Sequence, residues 1–66
     1  MSKIEFAQEA MKQFEVMEWY RKHYNAMSDS QRAEMSIGGR TAGQYAMDNY
    51  LMAKARFEYY NGKASL

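Results

Sequence analysis

The chain of 66 residues has no cysteine and no proline. Without thiols it cannot use disulfides to support a small core. With one imidazole, at His23, and no cysteine, it also lacks the ligands of a structural zinc site. The absence of proline removes the strongest helix breaker. Glycine is scarce too, occurring only at Gly38, Gly39, Gly43 and Gly62. No apolar run approaches the roughly 18 residues needed to cross a bilayer. The opening Met1-Ser2-Lys3-Ile4-Glu5 lacks the apolar stretch of a secretory signal. These absences, with cysteine-free composition, lead to the expectation of a soluble cytoplasmic protein. Charge of one sign is lacking as well. Nine Lys and Arg against eight Asp and Glu leave a net charge of +1, which gives no long-range pull toward nucleic acid or anionic lipid.

Branched aliphatic residues are few. Ile4, Val16, Ile37, Leu51 and Leu66 are all the chain has, against seven Met, six Tyr, three Phe and one Trp. Met is flexible and recurs on surfaces that must fit more than one shape. Tyr, Trp, Phe, Met and Arg are enriched where proteins touch. A domain of this size buries only about 60% of its unfolded surface. With disulfides and zinc excluded, the remaining supports are good helix packing, a partner or self-association.

Helix formers dominate, and no alternating run suggests a strand. The pattern predicts helices over about 3–25, 29–36 and 42–61. Ser2 with Glu5, Ser28 with Gln31 and Thr41 with Gln44 have the spacing of a capping box, which satisfies free N–H groups at a helix start. Glu5 and Glu9 suit the positive end of the first helix dipole, and Arg21, Lys22 and His23 its negative end. Glu18 and Lys22 stand at a favourable i,i+4 spacing. Gly38-Gly39 is expected to end the second helix and Gly62 the third, because glycine takes the left-handed conformation of a helix C-cap. Residues 63–66 are expected to fray. The expected fold is all-α: one domain, an antiparallel helical hairpin with a short connecting helix, with two hairpins pairing into a four-helix bundle as a homodimer.

At 100° per residue, Phe6, Ala7, Ala10, Phe14 and Met17 share one side of the first helix, with Tyr24 at its edge. Ala42, Ala46, Tyr50, Ala53, Phe57 and Tyr60 form a matching stripe on the third. Both read as ordinary core stripes. Val16, Trp19 and His23 fall away from the first stripe, and Met47 and Leu51 lie roughly opposite the second. An apolar set of this kind asks for a cover. Met27, Ala33, Met35 and Ile37 of the connector are one candidate cover, and another chain is the other. With Tyr20, these residues make the expected partner-binding set: Val16, Trp19, Tyr20, His23, Met47 and Leu51.

The chemistry-bearing patterns are weaker. Trp19-Tyr20-Arg21-Lys22-His23-Tyr24 mixes aromatic and basic residues as nucleic-acid binders do, but its spacing scatters them around the helix. A helix–Gly-Gly–helix invites a helix-turn-helix reading, yet the second helix starts with Ala42, Gly43, Tyr45, Ala46 and Met47, which offer little to base edges. His23 has no partner at a recognised catalytic spacing. The polar faces carry too many carboxylates for a membrane-surface helix. The expectation is a non-enzymatic protein–protein interaction module of adaptor or inhibitor type, without cofactor or metal. Its size and composition suit a phage or bacterial accessory protein. The competing expectation is a weak nucleic-acid binder using Arg21, Lys22, Arg40, Lys54 and Arg56.

Overall fold

Three capping boxes set where the helices begin. The computed structural model describes residues 1–66 and contains α1 (Lys3–Ala26), α2 (Asp29–Ala33) and α3 (Ala42–Ala64). At each start the expected pair is present: the Ser2, Ser28 or Thr41 hydroxyl accepts the N–H three residues on, and Glu5, Gln31 or Gln44 accepts the cap N–H in return. Two free N–H groups are thereby satisfied at every helix start.

α1 and α3 lie antiparallel. The ring pairs Phe6–Tyr60 at 6.3 Å, Phe14–Phe57 at 5.6 Å and Tyr20–Tyr45 at 6.5 Å between centroids fix their register. Between these pairs Ala10, Met17, Ala46 and Ala53 are buried, with Ala46 and Ala53 only 2% exposed. Phe6, Ala10, Gln13, Met17, Tyr20 and Tyr24 alternate steps of four and three, the spacing of a coiled-coil seam. Small residues at its centre bring the backbones close, and aromatic pairs close the flanks. Relative to the expected stripe, Ala7 turns out to solvent, and Gln13 and Tyr20 turn in.

The connector departs from its expected form. α2 stops at Ala33, short of residue 36, because Glu34 is extended (φ −66°, ψ 138°) and the chain turns back on itself. The Ala42 N–H donates to the Glu34 carbonyl and the Ser36 N–H to the Arg40 carbonyl, both at 2.7 Å, while Met35 bridges Thr41. Gly38 and Gly39 end no helix. They sit in a 3-10 turn at φ 70° and 74°, a region that glycine enters without steric cost. α3 runs through Gly62 to Ala64, so Gly62 is no C-cap and Lys63 and Ala64, expected to fray, are helical. Ser65 terminates it, its hydroxyl donating to the Asn61 carbonyl at 3.0 Å.

Arg32 pins the connector. Its Nε donates to the Tyr24 carbonyl at 3.1 Å, a helix-end acceptor that also takes the Met27 N–H at 3.3 Å. Its guanidinium lies 4.7 Å over the Tyr24 ring and reaches Asp29 at 2.9 Å. Gly43 makes room for it: a Cβ there would stand 2.9 Å from Arg32 Cβ and 3.1 Å from its carbonyl oxygen.

The result is a slab of 43 × 21 × 12 Å. Its depth is about one helix diameter, ~10–12 Å. The radius of gyration, 14.2 Å, exceeds the ~11 Å of a compact domain of this length. Total exposed area, 4742 Å², is only slightly above the ~4,400 Å² expected for this mass. The anomaly therefore lies less in how much surface is exposed than in which residues supply it.

Candidate protein-docking site

A slab one helix deep has two broad faces, and apolar side chains occupy both. Trp19 is 57% exposed, and Val16, Met11, Phe14, Met47 and Leu51 are also exposed. The connector does not cover them. Met27 is half-buried beside Trp19, Tyr20 and His23. Met35 and Ile37 point to solvent at 70% and 69% exposure, and Ala33 is exposed too. Backbone closure of the 35–41 turn holds these side chains outward.

The first face carries an ordered aromatic ladder. The His23 imidazole stacks on Trp19 at 4.7 Å with the planes 10° apart. Trp19 meets Tyr20 edge-on at 4.9 Å, and Tyr20 meets Tyr45 across the seam. Arg40 lies 5.9 Å over Tyr45 and bonds Asp48 at 2.6 Å. Edge-on and offset contacts align ring quadrupoles favourably. The ladder thus fixes the Trp19 ring while leaving it open to solvent. Burial, with the Tyr45 phenol adjacent, pushes the Tyr20 phenol above its ordinary value. Tyr20, Tyr45 and His23 wall a shallow hollow with Trp19 and Met27, and a second hollow follows α1 past Val16.

The six expected docking residues do not form one surface. Val16, Trp19, Tyr20 and His23 share the first face. Met47 lines a hollow on the other face with Arg21, Tyr24, Asn25 and Tyr50. Leu51, one turn further along α3, follows Met47. Turning from the seam around each helix in the N-to-C sense, Val16, Trp19 and Tyr45 lie one way and Met47 and Leu51 the other. Tyr45, outside the expected set, lies on the first face beside Tyr20 and Trp19, and this sense of rotation is the signal that finds it. Met52 lies on the Trp19 side by the same rule.

The second face is less ordered. Met11 and Phe14 line a groove with Ala7, Ala10, Phe57 and Asn61. Glu18, at the i,i+4 position from Phe14, pairs with Arg21 at 2.7 Å and not with Lys22. The Arg21 guanidinium holds the Glu18 carboxyl below its usual range, and Glu18 raises Arg21 in turn.

The five cations weighed for nucleic acid make no common patch. Arg21 lies beside Met47 and Tyr50, while Arg40 lies over Tyr45. Both are already paired, with Glu18 and Asp48. No group of three or more His, Asp or Glu side chains converges as a metal site would require, and no helix is long and apolar enough to cross a membrane. No protein-family model matches the chain, and neither the curated proteins nor the solved structures contain a match.

Proposed function

We propose that the chain is a small non-enzymatic protein–protein interaction module of adaptor or inhibitor type, which docks through the aromatic face centred on Trp19. One observation carries the reading: Trp19 stands exposed on a slab one helix deep, yet the ladder from His23 to Tyr45 holds its ring in place. Ordering a large side chain before contact lowers the entropy lost on binding. Trp and Tyr are the residues on which binding energy concentrates. Self-association belongs to the same proposal, because two such slabs stacked face to face would form a four-helix bundle with a two-sided core. The proposed compartment is the cytoplasm, since no residue depends on an oxidising environment.

Affinity capture of the tagged full chain from the cells that produce it tests this reading. The wild type should recover a stable complex, with itself or another protein, and Trp19→Ala should lose it. Equal complexes from both chains would overturn the choice of surface. A salt titration against mixed nucleic acid is expected to show no binding. Tight binding that falls steeply with salt would instead favour a polyanion partner.

A further inference from the structure

We propose that the aromatic face is closed by a second copy of the chain, packed face to face about a two-fold axis parallel to the helices. Both connectors then lie at the same end of a four-helix bundle. This rests on the docking reading above and names its partner.

Area permits it. A face 43 Å long and 21 Å wide is large enough to supply the roughly 800 Å² per partner of a standard interface. The layout of charge selects it. Along α1, Glu5, Glu9, Lys12, Val16, Trp19 and His23 fall on one ladder of four- and three-residue steps. Its charged residues, Glu5, Glu9 and the Lys12 that pairs with Glu9, sit toward the open end of the hairpin and its aromatics at the connector end. Along α3 the same face carries Tyr45 and Met52 toward the connector, then Arg56 and Lys63 toward the open end. Neither Arg56 nor Lys63 has a carboxylate within ion-pair distance in its own chain, while Lys12 is held by Glu9 at 3.3 Å.

A rotation about an axis parallel to the helices lays α1 over α3 of the second copy at the same height. The ring pairs across the seam set those heights. Glu5 and Glu9 then face Arg56 and Lys63 of the second copy, and Val16 and Trp19 face its Met52 and Tyr45. The contact is isologous, so every pairing occurs twice. A rotation across the helices would instead press the carboxylates onto Trp19.

The opposite face offers no such match. Its apolar residues lie on a diagonal, Met11 and Phe14 toward the open end of α1 and Met47 and Leu51 toward the connector end of α3. The other diagonal carries the Glu18–Arg21 ion pair on α1 and the charged Lys54 and Glu58 on α3. Either rotation would set an apolar half on a charged one.

Sedimentation equilibrium on the full chain tests the proposal, with emission of Trp19, the one tryptophan, reporting its burial. The wild type should be a dimer whose emission shifts to the blue as it associates. Glu9→Lys and Arg56→Glu should each weaken the dimer roughly tenfold or more, since like charges then face each other. An equimolar mixture of the two variants should regain wild-type affinity within about threefold, because residue 9 of each chain again faces a residue 56 of opposite sign in the other. Within each chain the altered charges remain, so only an intermolecular pairing gives this rescue. Far-ultraviolet circular dichroism should show both variants as helical as the wild type.

A monomeric wild type at its highest soluble concentration would overturn the proposal. If Trp19→Ala still abolished capture of a different protein, the docking reading would survive with a heterologous occupant. A dimer lost on Leu51→Lys but not on Trp19→Ala would overturn both. A dimer with no rescue on mixing would overturn the parallel axis.

Discussion

Both broad faces of the slab carry exposed apolar side chains but organise them differently. Around Trp19 the rings contact one another in sequence, from His23 to Tyr45, across both helices. Around Met47 and Leu51 the apolar residues are flexible or isolated, and the Glu18–Arg21 ion pair interrupts the α1 ladder. An unbranched thioether adapts to many shapes, whereas a stacked ring presents one. Internal order and the placement of charge separate the two faces, and they favour the aromatic face as the one shaped for a particular contact.

The largest expected effect separates the faces directly. Trp19→Ala should weaken association by about 2–4 kcal/mol, the range of a hot-spot truncation, when followed by sedimentation equilibrium. Leu51→Lys should change it little. Since Trp19 is not part of the seam, thermal unfolding of dilute Trp19→Ala should stay close to that of the dilute wild type. A reversal of the two variants would exchange the roles assigned to the faces.

A change in the seam should harm both faces together. Ala46 is 2% exposed where α3 approaches α1, and enlarging it forces the backbones apart. Ala46→Leu is expected to cost about 2–3 kcal/mol by urea denaturation, near the upper end for overpacking. In a domain whose single core supplies only about 3–5 kcal/mol, that loss would weaken any association through either face. An Ala46→Leu variant with unchanged stability would show that the two faces are not held by one shared layer.

Gly43→Ala acts on the connector end. Alanine favours a helix over glycine by roughly 0.8–1 kcal/mol. Here the new Cβ would meet the Cβ, carbonyl and Cα of Arg32, which are not the free end of a mobile side chain. Overpacking of about 1–3 kcal/mol should outweigh the propensity gain, for a net loss near 1 kcal/mol in urea denaturation. Arg32 would shift from Tyr24, while the ladder at Trp19 would keep its partners on α1.

Local chemistry was the part of this fold most legible in the sequence. Ser2 with Glu5, Ser28 with Gln31 and Thr41 with Gln44 cap helices through atoms three residues apart, so spacing alone suffices. The seam was partly legible. Phe6, Ala10, Met17, Ala46, Ala53 and Phe57 repeat as a buried stripe should, but polar Gln13 carries no such mark. The role of Arg32 was hidden because it depends on a carbonyl eight residues away. Gly43 was hidden because its value lies in a neighbour's approach and not in its own dihedrals. The docking set was half legible. A helical wheel says how far Trp19 and Met47 lie from the seam, but they join one surface only if they turn the same way around it, and they do not.

The smallest expected effect concerns Glu18, the charged interruption of the Met and Leu face. Arg21 holds its carboxyl below the ordinary 4.5, so the folded chain binds this proton less readily than the unfolded one. A carboxyl with a depressed folded value stabilises the fold above its unfolded value, and that contribution fades as pH falls through the folded one. Thermal unfolding curves of wild type and Glu18→Gln should therefore differ slightly above about pH 5 and converge in more acid solution. The difference should be small because the pair is exposed and solvent-screened. Association should not change, since the aromatic face does not include Glu18. If Glu18→Gln strengthened the dimer instead, removal of this charge would have helped the Met and Leu face to close, and that face would have to be placed at the interface.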